Sequence, residues 1–204
     1  FSIWGLIYIG WLAFAIYQII PAQRENPRLR RVGYLFALSG VVNSLWLFLW
    51  HYELFVLSLI VMVFLLVLLI LIYVRLEVGF YRSSTLEKWC VSIPISVYLG
   101  WITVATIANV TDVLVDLNWN RWGLSPEAWG IIILIIGVLL ASIVSFSRGD
   151  IAYLLVISWA YAGIAVRQAA VPTIALTAWV STAAILVVLV GGWIFHRRRL
   201  ARVV

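Results

Sequence analysis

The chain has 204 residues, of which 65% are hydrophobic and only 11% charged, with 14 Lys+Arg against 8 Asp+Glu and 12 tryptophans. A soluble domain is about 45–50% apolar and about 25% charged, so this composition excludes a water-soluble globular protein and a disordered chain. Despite a formal charge of +6, a nucleic-acid binder is excluded as well. What remains is an all-α integral membrane protein whose first partner is the lipid bilayer.

A bilayer core needs roughly 20 apolar residues per helix, and charged and turn residues cut the chain into seven such stretches. The first covers residues 1–20 and is stopped by Pro21. After a polar loop at 23–28, the second covers 32–50. Only His51, Tyr52 and Glu53 separate it from the third, at 54–74. The combined run is too long for one crossing, so Glu53 marks a tight hairpin. The fourth, at 89–110, follows a loop bearing Arg75, Glu77, Arg82, Glu87 and Lys88. Within it Pro94 removes a backbone hydrogen bond and allows a kink. The fifth opens at Ser125-Pro126-Glu127, where Ser caps, Pro fits the first turn and Glu favours the positive helix end. It ends near Phe146. Arg148-Gly149-Asp150 separates it from the sixth, at 151–166. Pro172 opens the seventh, which runs to Phe195 and stops at His196-Arg197-Arg198-Arg199.

Threading these spans alternately puts Arg24, Arg28, Arg30, Arg31, Arg75, Arg82, Lys88, Arg148, Arg197, Arg198, Arg199 and Arg202 on one side. The other receives only Arg121 and Arg167. By the positive-inside rule the C-terminus is cytoplasmic, in a membrane such as the bacterial inner membrane. The first apolar run begins at once at Phe1, so one more helix is expected upstream, giving eight in the full-length protein.

Chemistry-bearing residues are scarce at membrane depth. Glu53, Asp112, Asp116, Glu127, Asp150 and Arg167 all fall at span ends, which argues against a proton-coupled pump. No phosphate loop, metal-ligand cluster or nucleophile-base pair is visible, so no catalytic or metal residue is assigned and an enzyme is not expected. His51 and His196 are interfacial by position, and His51 is at most a weak candidate axial ligand. Asp112 and Asp116 alone make a poor metal site. The single Cys90 cannot form an intramolecular disulfide.

The tryptophans divide into two groups. Trp89, Trp119, Trp122, Trp129 and Trp193 sit near span ends, as interfacial anchors do. Trp4, Trp11, Trp46, Trp101, Trp159 and Trp179 lie deeper. Thr103, Thr106 and Asn109 form a polar stripe in the fourth span, with Trp101 and Ala105 alongside. Asn43, Trp46 and Trp50 are spaced by turns in the second, and Trp4, Tyr8 and Trp11 share one side of the first. Two readings stay open at this point. Such groups can glue helices together without any ligand, or they can line an apolar pocket with a few placed polar groups. Indole faces would suit a flat apolar ligand such as a porphyrin, a sterol or a polyene.

At these residues the chain resembles the TspO/MBR family of tryptophan-rich sensory and translocator proteins, also called peripheral-type benzodiazepine receptors. Phe1-Ser-Ile-Trp4, followed by Tyr8, is similar to the Phe, Trp and Tyr opening of that family's second helix, with altered spacing. Asn43-Ser-Leu-Trp46, with Trp50 beyond, resembles its third-helix Asn-x-x-Trp. Tyr98-Leu-Gly-Trp101, with Ala105 and Asn109, resembles its fifth-helix Tyr-Leu-x-Trp…Ala…Asn. One departure is that Pro94 stands four residues before Tyr98, where the family commonly has Pro directly before this run.

The resemblance implies that residues 1–110 are four of the family's five helices, the first lying upstream, and that 111–204 add three helices and a basic tail. It also implies a porphyrin/haem-type tetrapyrrole, carotenoid-like, sterol or lipid ligand bound between helices for sensing or transport, with no cofactor obligatory. By the same resemblance, Trp4, Tyr8, Asn43, Trp46, Trp50, Tyr98, Trp101, Ala105 and Asn109 are the candidates for lining the site. The alternative is a non-catalytic accessory subunit of a photosynthetic or respiratory assembly. Its motive is the three added spans, nearly free of charge, whose small-residue faces Ser158/Ala162 and Ala175/Ala178/Ser181/Thr182 suit close helix contacts. The assembly expected is a homodimer or a larger membrane complex, and a homodimer would argue against the accessory role. An uncoupled facilitator for a lipophilic substrate is a third reading.

Overall fold

Proline and capping chemistry place most helix ends. In the computed structural model, which describes residues 2–81 and 83–201, the described residues form helices and turns without strands. Phe1, Arg82 and Arg202, used above in a motif and in the charge tally, lie outside the described residues. The chain divides into two compact units, Phe1–Val113 and Leu114–Val204.

The first unit opens with α1, Ile3–Ile19. Pro21 disfavours the helical conformation in the residue before it, and Ile20 accordingly swings to ψ 130°. A one-turn helix, Pro27–Arg30, follows, capped by the Asn26 side chain accepting from the Arg28 amide. Next come α2, Gly33–His51, and α3, Phe55–Arg75. The hairpin expected between them is present, with Glu53 in the left-handed region at φ 57°.

The fourth helix departs from expectation at both ends. It starts at Ser84, whose side chain caps Glu87, runs through Thr85–Glu87 and a π-turn at Lys88–Ser92, and continues as α4, Ile93–Asp116. The π-turn stands just ahead of Pro94, whose ring would otherwise strike the carbonyl four residues back. No glycine or proline follows Asn109 to end the helix, so Asp112 and Asp116 are helical. The four helices interlock through small and aromatic groups. Gly10 lets α1 close on the kink: a Cβ there would lie 3.0 Å from Pro94 Cβ. Phe14, fully buried, meets Phe36 at 4.4 Å.

By sequence Arg28 and Glu87 are loop charges, and the structure buries both. Arg28 Nε donates to the Leu76 carbonyl at 2.8 Å. Its terminal nitrogens engage the same carbonyl and the Glu87 carboxylate. Its Cζ lies 4.0 Å over the Tyr81 ring. One side chain therefore ties the loop after α1 to the chain between α3 and α4, and both arginine-bearing loops of this unit lie at one end.

The second unit contains α5, Pro126–Arg148, α6, Ile151–Arg167, and α7, Pro172–Ala201. Ser125 caps α5 as its sequence implies, accepting from the Ala128 amide. Gly149 closes the helix at φ 61°, and Asp150 caps α6 through Tyr153 N at 3.1 Å. The basic run does not stop α7. Arginine is a good helix former and its charge suits a helix C-terminus, so the helix continues past His196 to Ala201. His196, expected at an interface, is 5% exposed and packs on Gly149.

α7 packs on both α5 and α6. Tyr161 donates to the Leu134 carbonyl at 3.0 Å, and Ser145 Oγ to the Val188 carbonyl at 2.8 Å. Ala178 and Ser181, two members of the small-residue face, are buried. At Gly192 the α5 and α7 backbones approach closely, and a Cβ would fall 2.8 Å from the Ser145 backbone carbon, whereas a Cβ at Gly191 meets nothing within 4 Å. Gly192→Ala must therefore push α5 and α7 apart, at about 1–3 kcal/mol. Gly191→Ala should be neutral or stabilising by up to about 1 kcal/mol through helix propensity. Thermal unfolding in detergent reads the pair, and equal melting temperatures would refute the close contact.

Among the described residues, five helices are long and apolar enough to cross a bilayer: Gly33–His51, Phe55–Arg75, Thr85–Asp116, Pro126–Arg148 and Pro172–Arg199. Ile3–Ile19 and Ile151–Arg167 are apolar but shorter. Large apolar side chains such as Ile9, Ile60, Ile143 and Val187 face outward, as a lipid solvent permits and water would not. Trp159 and Trp179 are about half exposed, in keeping with lipid contact.

Candidate ligand site

Turn spacing places Trp4, Tyr8 and Trp11 on one side of α1, and their rings connect three helices. Trp4 stacks on Tyr8 and on Trp46 of α2, both at 5.8 Å, and meets Trp101 of α4 edge-on at 6.3 Å. Trp46 stacks on Trp50 at 6.0 Å, and Trp50 meets Phe55 at 5.4 Å. In the other direction Tyr8 contacts Trp11 at 6.4 Å, and Trp11 contacts Tyr98 at 5.2 Å and Phe36 at 5.4 Å. A chain of ring contacts thus runs from the α2–α3 hairpin into the body of the first unit. These separations are ordinary for aromatic pairs, so a flat ligand would replace a ring contact rather than fill a ready gap.

Polar atoms along the same helices are left without partners. Trp11 Nε1, Asn43 Oδ1, Trp46 Nε1, Tyr98 OH and Asn109 Nδ2 are buried and make no hydrogen bond. An unsatisfied buried polar group costs about 1–3 kcal/mol, and most such groups in folded proteins find partners. The threonines of the expected stripe are different. Thr103 and Thr106 donate to the Leu99 and Ile102 carbonyls at 2.8 and 2.7 Å, so their hydroxyl protons are used within α4. Asn109 is what remains of that stripe, its Oδ1 accepting from Ser58 of α3 at 3.3 Å.

Of the residues singled out from sequence, the ring contacts bring together Trp4, Tyr8, Trp46, Trp50, Tyr98 and Trp101. Asn43 is buried one turn before Trp46, and Asn109 is buried two turns beyond Trp101. Ala105 is half-buried on the same helix, and Tyr8 is 47% exposed. Trp11, which lies outside the motif-matched set, also belongs to the site, because its ring joins α1, α2 and α4. Its position one heptad after Trp4 was the available signal. His51 is exposed and meets Tyr52 edge-on at 5.3 Å. Among the described residues no group of three or more His, Cys, Asp or Glu side chains is placed to hold a metal ion. Trp119, Trp122 and Trp129, expected as interfacial anchors, form one cluster with centroids 4.9–5.6 Å apart.

A family model described as TSPO-like protein matches residues 1–191. The chain belongs to the TSPO-like family. The matched range runs past Asn109, where the motif resemblance ended, through α5 and α6 and into α7. No curated protein and no solved structure matches the chain. Membership agrees with the apolar helices, and this TSPO-like chain is an all-α integral membrane protein.

Proposed function

We propose that this TSPO-like protein binds a flat hydrophobic ligand of the porphyrin, sterol or polyene class between α1, α2 and α4, for sensing or transport. The observation that carries the reading is the coincidence of the ring chain with five buried polar atoms that have no partner. Stacking faces and unused hydrogen-bonding groups on the same three helices are what a planar, sparsely polar molecule requires. In this reading Trp4, Trp46 and Trp101 stack, with Trp50 extending the row. Tyr98, Asn43 and Asn109 offer hydrogen bonds, Ala105 allows close approach, and Tyr8 borders the entry. The protein works as a binder without catalytic residues. All seven apolar helices cross the bilayer in this proposal, the two 17-residue helices lying at the short end of the spanning range of about 17–25 residues. The C-terminus is cytoplasmic, by the charge asymmetry of the loops.

Protoporphyrin IX titrated into the purified protein should quench tryptophan fluorescence at micromolar concentration. Trp101→Ala should weaken that binding on the order of tenfold, in line with about 0.5–1.5 kcal/mol for an aromatic contact beyond its area. Absence of quenching, or an unchanged titration in the variant, would count against the site. Of the small residues behind the accessory-subunit reading, Ser158, Ala178 and Ser181 are buried within the second unit, whereas Ala162, Ala175 and Thr182 stay half-buried.

A further inference from the structure

A second feature of the first unit lies at its arginine-bearing end and is independent of the ring chain. A cleft of about 470 Å³ is lined by eight residues, among them Gln18, Gln23, Arg24, Arg30, Gly33 and Tyr34, with no carboxylate. We propose that this cleft binds the phosphate headgroup of an anionic glycerophospholipid from the adjacent leaflet.

Three donors are available there. Arg24 uses only Nε, donating to the Ile19 carbonyl at 3.2 Å, which leaves its two terminal nitrogens for a ligand. Gln23 Oε1 accepts from Asn26 Nδ2 at 2.9 Å, so the amide nitrogen of Gln23 is left to donate. Asn26 is itself fixed by capping the Arg28 amide at 3.0 Å, so Gln23 is held in place before any ligand arrives. Arg30 is paired with Glu25 at 2.7 Å, but these side chains are 66% and 86% exposed. Exposed pairs of this kind hold weakly, and a phosphate can take the arginine over. Gly33 puts no side chain into the floor, and a Cβ there would sit in ordinary contact with Gln18 Oε1 at 3.5 Å, so only a larger side chain would fill it.

The rest of a lipid also has a place to go. Tyr34 is 92% exposed, and Leu38, Val41 and Leu45 follow it down the same face of α2, all exposed. This row leads from the cleft into the depth of the bilayer, as an acyl chain would. Basic pockets at a membrane surface select anionic headgroups through just this combination of arginines and an apolar flank. A free phosphate ion would use the donors but not the flank, which is why the lipid is the occupant inferred.

Native mass spectrometry of the delipidated full chain, with phosphatidylglycerol or phosphatidylcholine added back, tests the assignment. The wild-type protein should retain phosphatidylglycerol over phosphatidylcholine by on the order of tenfold, given about 1 kcal/mol per arginine near an anionic surface. Arg24→Gln should erase most of that preference, and Gly33→Leu, which fills the floor and removes no charge, should do the same. Arg167→Gln should leave it intact. Millimolar inorganic phosphate should not displace the bound lipid. Equal retention of the two lipids would overturn the proposal. So would a preference that survives both cleft variants, or full displacement by phosphate.

Discussion

Arg28→Met is expected to destabilise the protein by about 3–5 kcal/mol, the cost of breaking a buried ion pair from one side. Glu87 is 6% exposed, so removal of its partner leaves a carboxylate with neither water nor cation. The Leu76 carbonyl loses its side-chain donor as well. Attraction between the charges is only part of the loss, because each group was desolvated to make the contact. For that reason Arg28→Met combined with Glu87→Leu should recover much of what either single variant loses. Thermal unfolding in detergent gives the magnitudes. Cys90 supplies a local probe, since it is half-buried in the π-turn three residues beyond Glu87. Its thiol should react faster with a maleimide in Arg28→Met. Single variants that cost less than about 1 kcal/mol, the usual ceiling for an exposed pair, would show that the pair does not lock the loops.

The second large effect is a reversal of sign between two tyrosines. Tyr98 is fully buried and its hydroxyl has no partner, whereas the Tyr161 hydroxyl donates to the Leu134 carbonyl. Tyr98→Phe removes an unsatisfied group and should stabilise the ligand-free protein by about 1–3 kcal/mol. Tyr161→Phe removes a made hydrogen bond and should cost about 1 kcal/mol. If the Tyr98 hydroxyl serves a ligand, the same substitution that raises the melting temperature should weaken porphyrin binding about fivefold to tenfold, again one hydrogen bond's worth. A destabilised Tyr98→Phe protein would contradict the unpartnered hydroxyl. A stabilised one with unchanged affinity would remove Tyr98 from the ligand's contacts.

Local chemistry was readable from the sequence, while contacts between distant segments were not. Ser125 caps a helix, Pro21 ends one and Glu53 turns a hairpin. Each acts on neighbours within a few residues, so the pattern carries the outcome. The π-turn ahead of Pro94 was half legible, because proline announces a disturbed helix without saying which form the disturbance takes. The end of α7 differs from the sequence expectation for a physical reason: the arginines after His196 mark the edge of the apolar span, but loss of hydrophobicity does not break a helix. The pairing of Arg28 with Glu87 spans 59 positions, and nothing local marks either residue as buried. At the candidate site, spacing put the aromatic residues on shared faces. It could not say that Trp11 bridges three helices, or that Thr103 and Thr106 turn their hydroxyls back on their own backbone.

Tyr8 stands at the rim of the ring chain with nearly half of its surface exposed on an apolar exterior. Under the proposed binding role, a ligand passing that rim would have the bilayer as its reservoir, and its occupancy would follow its concentration per lipid rather than per volume of water. Diluting the protein with empty vesicles at constant total ligand would then unload the site, although nothing at the site itself has changed.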